Sequence, residues 1–226
     1  MAKTEHDWGS KDYAQDWVSK DDRRAAEREA QFKAAGRWLG VFLRGGARVA
    51  DVGCGPGTLA QRVLSDFPEV SVICTDGSAD MLDLARERLA SYGERVSYIQ
   101  ADFSQEGWRA AVPKDLDAIV SARAIHNLRK LKPIEKVYKE VFALLRPGGF
   151  FMNIERINFS SDYLHQKYRE IQIKERGKAP GLDGPGPSLL QQFQLLKRAG
   201  FESIDCPWRD GNTAIIFGFK EMSSAT

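Results

Sequence analysis

Cysteine is scarce in this 226-residue chain: Cys54, Cys74 and Cys206 are odd in number, widely spaced and include no Cys-x-x-Cys pair. That excludes a disulfide framework and a cysteine-based zinc site, and fits reduced thiols in a cytoplasmic protein. Long apolar runs are also missing. The longest, such as Val70 to Cys74 and Leu116 to Val120, are strand-sized and far below the ~18 residues of a membrane span. Met1 to Trp17 is polar and mixed in charge, so no secretory signal and no membrane partner are expected. An excess of one charge is absent as well, since 33 Lys+Arg against 31 Asp+Glu leave +2. So weak a balance argues against a protein built to coat nucleic acid.

What is present is a globular composition, 42% hydrophobic and 28% charged, in a chain long enough to bury roughly 70% of its extended surface. One domain with an elaboration is expected. Short apolar runs alternate with amphipathic segments, the pattern of a parallel sheet covered by helices in an α/β fold. Helices are read over Asp21 to Leu43, Thr58 to Asp66, Ser78 to about Tyr92, and from Pro133 to near Arg146. Strands are read over Ala47 to Val52, Val70 to Thr75, Val96 to Gln100, Leu116 to Ser121 and Phe150 to Ile154. A helical segment from about Ser160 to Arg176 then leads into Gly177 to Pro187, where seven of eleven residues are Gly or Pro and a turn-rich loop or lid is expected. Leu189 to Ala199 reads as a helix capped by Gly200, followed by strands at Phe201 to Trp208 and Thr213 to Lys220 joined around Asp210-Gly211.

The segment Asp51-Val52-Gly53-Cys54-Gly55-Pro56-Gly57-Thr58 runs from a strand through three glycines into a helix. Such a turn lets a ligand lie against the main chain without Cβ interference. The third glycine arrives one position too early for the dinucleotide fingerprint, and no Lys-Ser/Thr follows, which disfavours NAD and excludes a P-loop. Asp76, followed by Gly77, lies 23 residues after Gly53 at the end of the second strand, where a carboxylate can accept both hydroxyls of a ribose. Asp102-Phe103 follows the third strand in the same way, and Met81 lies within reach of a purine face.

These segments resemble the class I S-adenosylmethionine-dependent methyltransferases from about Val41 to Phe151, and Leu144-Leu145-Arg146-Pro147-Gly148-Gly149 is similar to the turn before their fifth strand. The resemblance implies a Rossmann-like, seven-stranded, mostly parallel sheet with the last strand antiparallel. It implies S-adenosyl-L-methionine as cofactor, held by Asp51, Gly53, Cys54, Gly55, Gly57, Asp76, Gly77, Met81, Asp102, Phe103, Ser121 and Ala122. It also implies an N-terminal helical lid over residues 1–45 and a methyltransferase domain over 46–226, with an acceptor-site insertion at about 157–188.

Acceptor chemistry is less legible. No carboxylate follows the fourth strand as in metal-dependent relatives, so no metal is expected, and the signatures of DNA adenine and RNA cytosine-5 methylation are missing. His126 suits proton removal from an acceptor, the alternative being a histidine packed on the next helix. Arg123, Arg156 and Arg209 stand near strand ends, where a guanidinium can clamp a carboxylate. Tyr13 and Trp17 resemble lid aromatics, and Tyr163 and Tyr168 lie on the inserted helix that shapes the acceptor pocket in the family. A small-molecule acceptor is the leading expectation. The alternatives are a synthase acting on the sulfonium cofactor, because Leu196 to Lys220 also resembles carboxy-S-adenosylmethionine synthase, and an RNA-modifying enzyme, because of the basic run from Arg123 to Lys139.

Overall fold

In the computed structural model residues 25–177 and 186–221 are described, and the readings made on Tyr13, Trp17 and most of the Gly/Pro-rich loop lie outside them. Two halves alternate strand and helix. The first comprises α1 (Ala25–Phe42), β1 (Arg48–Val52), α2 (Thr58–Asp66), β2 (Ser71–Asp76), α3 (Ala79–Leu89) and β3 (Val96–Gln100). The second comprises β4 (Leu116–Ala122), α4 (Leu131–Leu144), β5 (Leu145–Arg156), α5 (Asp162–Arg176), α6 (Leu189–Ala199), β6 (Glu202–Asp210) and β7 (Thr213–Phe219). They form one seven-stranded sheet in the order β3-β2-β1-β4-β5-β7-β6. Pairs among β1 to β5 are parallel, whereas β7 enters antiparallel between β5 and β6.

The period-two alternation of the strands sorts the core onto both faces. Val49 of β1 and Met152 of β5 pack with Phe32, Leu39 and Leu64 of α1 and α2. Ala50, Val52 and Phe151 pack on the other face with Ile134 and Tyr138 of α4 and Leu195 of α6. Local signals set the helix ends. Ser78 caps α3 by accepting from Met81 N at 3.3 Å, and Ser188 forms a reciprocal capping box with Gln191 before α6.

Two expectations are corrected. Strand β5 begins at Leu145, not Phe150, because Leu145 already pairs with Leu116 and Gly148 donates to Lys220 O at 2.8 Å, so the glycines sit in an irregular stretch of the sheet. The terminal hairpin turns through Gly211-Asn212, since Asp210 still pairs with Thr213.

The order places β1 next to β4, so the chain reverses its direction of travel across the sheet there. Open α/β sheets bind ligands at the carboxyl ends of the strands at that switch point.

Candidate active site

The glycine loop after β1 is tied to β2: Gly53 N and Cys54 N both donate to Thr75 O, at 2.8 and 3.0 Å. A Cβ on Gly53 would lie 2.5 Å from Ala124 Cβ and 2.9 Å from Phe103, so only glycine lets the loops after β3 and β4 close on it. Gly55 is different: its φ is +52°, and a Cβ there would meet nothing within 4 Å. Its open side faces a cavity, and its N–H donates to Asp76 Oδ2 at 2.9 Å.

That cavity has a volume of about 710 Å³, within the roughly 300–1,000 Å³ of small-molecule sites. Of the residues expected from sequence, Gly53, Cys54, Gly55, Asp76, Gly77 and Met81 line it. Asp102, Phe103, Ala122 and Arg123 do so as well. Asp76 also accepts from Ser78 N at 2.9 Å through Oδ1, and its carboxylate keeps lone-pair capacity for a ligand. Burial raises its pKa, opposed by the Ser78 and Gly55 amides. The Cys54 thiol is held well above its ordinary range by its contact with Cys74 and by burial, which unsuits it as a nucleophile.

Other expected residues stand apart from the cavity wall. Gly57 closes the loop at the start of α2, and Ser121 Oγ donates to Val52 O at 2.8 Å inside the sheet. Arg156 ends β5, Tyr163 is 67% exposed on α5, and the Tyr168 ring packs 5.0 Å from that of Phe159. Asp51 is 1% exposed, with no hydrogen-bond partner of good geometry for either carboxylate oxygen. Burial pushes its pKa up to about 7; the Ala60 amide pulls the other way, and the nearby Asp76 charge adds to the rise.

His126, beside the cavity-lining Asn127, directs the Nδ1 edge of its ring toward β5. Its Nδ1 lies 2.7 Å from Glu155 Oε1, and its backbone N donates to Oε2 at 3.0 Å. Glu155 is fully buried and also accepts from Arg156 N at 2.7 Å. A carboxylate accepting three such bonds assigns the proton to His126 Nδ1 and leaves Nε2 as the basic nitrogen.

Residues 49–149 match a family model described as a methyltransferase domain. The chain is 25% identical over 192 residues to the carboxy-S-adenosyl-L-methionine synthase of Nautilia profundicola, covering 79% of this chain and 80% of that one. It is 29% identical over 167 residues to the trans-aconitate 2-methyltransferase of Paracidovorax citrulli, covering 74% of this chain and 59% of the relative. Among solved structures, an O-methyltransferase family protein from Burkholderia thailandensis shares the fold with TM-score 0.70, 17% identity and coverage of 97% of this chain and 62% of that one. Human N-acetylserotonin methyltransferase in complex with S-adenosylmethionine does so at TM-score 0.67 and 18% identity, over 94% and 57%.

Residues 49–149 are a methyltransferase domain, and these likenesses support a class I S-adenosylmethionine-dependent methyltransferase. The chain spans four-fifths of the synthase but only about three-fifths of the aconitate relative. As in other members of this methyltransferase family the cofactor is S-adenosyl-L-methionine, and the cavity fits it: Gly55 leaves room beside the main chain, and Asp76 keeps lone pairs free. Among the described residues no group of three His, Cys, Asp or Glu side chains is placed to hold a metal, and no helix is long and apolar enough to cross a membrane.

The methyltransferase site also contains residues that sequence reasoning missed. Arg28, Gln31 and Phe32 of α1 line the cavity, as do Asn127 and Arg129 after β4. The spacing Arg28, Phe32, Ala35, Leu39 would have revealed Arg28, since it extends the buried stripe of α1 by one turn. Glu155 was visible as a carboxylate two residues beyond Asn153 on a buried strand face. Two cations of the basic run are paired, Lys136 with Glu106 at 3.0 Å and Lys139 with Glu135 at 2.8 Å.

Proposed function

We propose that this chain transfers a methyl group from S-adenosyl-L-methionine to a small-molecule acceptor without a metal. The observation that carries the reading is the wall formed at the carboxyl ends of β1 to β3 by Gly55, Asp76, Asp102 and Phe103. Asp76 would hold the ribose hydroxyls, while Asp102, Phe103 and Met81 would surround the adenine. Gly53, Cys54 and Gly55 would meet the amino-acid end through the main chain, with Asp51 and Ser121 supporting the loop from beneath and Gly77 and Ala122 completing the channel. Arg28 and Gln31 are one turn apart on α1, and Gln31 Oε1 is buried without a partner among the described residues. Guanidinium and amide carbonyl there suit the cofactor's own carboxylate and ammonium. When bound, the cofactor supplies an electrophilic methyl on a sulfonium.

The protein's part is to align the acceptor, exclude water and take up a proton. His126 Nε2 is the proposed base, and Glu155 is its positioning residue. Helix α1 would close the cofactor side, and α5 with Tyr163 and Tyr168, together with Arg156, would shape the acceptor side. Calorimetric titration tests the reading. S-adenosylmethionine and S-adenosylhomocysteine should bind one to one, and NAD should not.

A second reading is a synthase that modifies the sulfonium cofactor, favoured by the 80% coverage of the Nautilia relative. Incubation with S-adenosylmethionine, a candidate acceptor and an organic acid able to donate a carboxyl group separates them: a methylated acceptor supports the first, and a cofactor carboxylated at the expense of the donor acid supports the second.

A further inference from the structure

The cavity is electrically divided along the strand order. Its acids, Asp76, Asp80 and Asp102, follow β2 and β3, on one side of β1. Its guanidiniums are Arg28 on α1 and Arg123 and Arg129 in the loop after β4, the strand on the other side of β1. The cofactor of the proposed reaction brings a single carboxylate, which matches Arg28 beside Gln31. Two positive side chains remain on the half of the cavity where an acceptor must lie.

These two arginines are held in place at a cost. Arg123 and Arg129 have φ of +54° and +58°, two of four described non-glycine residues in left-handed backbone, a conformation that costs an L-residue roughly 1–2 kcal/mol. They bracket the short turn Ile125–Leu128, and hydrogen bonds from Arg123 N to Ile154 O at 2.8 Å and from Arg129 N to His126 O at 3.0 Å fix it. Backbone strain concentrates where function demands a particular side-chain placement. The Arg129 guanidinium makes no hydrogen bond or ion pair with any described side chain and stands at the exposed rim, whereas Arg123 is half-buried.

Resting on the methyl-transfer reading, we infer that the acceptor is an organic carboxylate, clamped by Arg123 within the cavity and drawn in by Arg129 at its rim. A guanidinium binds a carboxylate through two parallel hydrogen bonds, and two guanidiniums on one wall favour an anionic acceptor over a cationic amine. The loop that carries this clamp also carries His126, so binding the carboxylate would fix the acceptor relative to the proposed base.

The test uses the whole chain saturated with S-adenosylhomocysteine, titrated calorimetrically with succinate, citrate and benzoate and with their neutral methyl esters. At least one acid should bind, roughly tenfold or more tighter than its ester, and more weakly as salt rises. Arg123→Gln should weaken that acid about tenfold or more and Arg129→Gln by roughly three- to tenfold, while Arg123→Lys regains part of the loss. S-adenosylhomocysteine affinity in each variant should stay within about threefold, showing that the cavity is intact. Normal S-adenosylhomocysteine binding with no preference for any acid, or acid affinity unmoved in both glutamine variants, overturns the inference alone. Failure of the parent protein to bind S-adenosylhomocysteine overturns the methyl-transfer reading beneath it as well.

Discussion

Asp51 offers a test that separates this site from an ordinary strand-to-helix turn. Its carboxylate is buried on the Val49 face of β1 with a pKa of about 7 against an ordinary 3.8. Between those values the unfolded chain loses the Asp51 proton while the folded chain keeps it. The native state then binds more protons, so stability falls as pH rises through this window and stays lowered above it. A span of about three pH units corresponds to about 4 kcal/mol at ~1.4 kcal/mol per unit, an upper bound because relaxation and water entry soften the penalty. Asp51→Asn, similar in shape and uncharged, should therefore stabilise the free protein relative to the parent at pH 8 by up to about 4 kcal/mol and change it little at pH 4. Urea unfolding at both pH values measures the difference. In the parent, a cofactor ammonium near the loop would favour the ionised carboxylate, so S-adenosylmethionine should bind more tightly as pH rises through 7, a trend the asparagine variant should lack. An equal stability gap at pH 4 and pH 8 would refute the buried, unpartnered carboxylate.

Asp76→Ala should weaken S-adenosylmethionine by roughly 1.5–3 kcal/mol in calorimetry, the scale for a charge-assisted bond. It should also lower the unfolding free energy by about 1–3 kcal/mol, because the Gly55 and Ser78 amides lose their acceptor. Gly55→Val would place a branched side chain in open cavity at a φ of +52°, so saturating cofactor should raise the melting temperature of the parent but not of the variant. His126→Asn should leave cofactor affinity unchanged and reduce turnover roughly 100-fold or more if Nε2 is the base; full activity would favour catalysis by alignment alone. Glu155→Gln should lower kcat more than it raises KM by releasing the tautomer of His126, and Glu155→Asp should recover part of the rate.

Much of the fold was legible because its signals are local. Thr58–Asp66, Val96–Gln100 and Leu189–Ala199 have the bounds read from glycine turns, apolar runs and capping residues. The cofactor half was legible for the same reason: Asp76 ends β2, and Gly53, Gly55 and Asp102 lie just beyond β1 and β3, so position in sequence gives position at the sheet edge. The acceptor half was not. Arg129 reaches the cavity only through left-handed backbone at both ends of a short turn, and Glu155 meets His126 only because β4 and β5 are neighbours, a pairing 29 residues apart. Strand β5 was read too short because Pro147-Gly148-Gly149 imitates a loop, while pairing to Leu116 and Lys220 from both sides holds it in the sheet.

The proposed seat of S-adenosylmethionine is the cavity beside Gly55, Asp76 and Asp102. Mass spectrometry of the small molecules released when the purified protein is denatured tests it most directly. S-adenosylmethionine or S-adenosylhomocysteine should be released, at up to one equivalent per chain, and should be lost in the Gly55→Val variant. A nicotinamide dinucleotide in their place, or the same nucleoside yield from the valine variant, would contradict it.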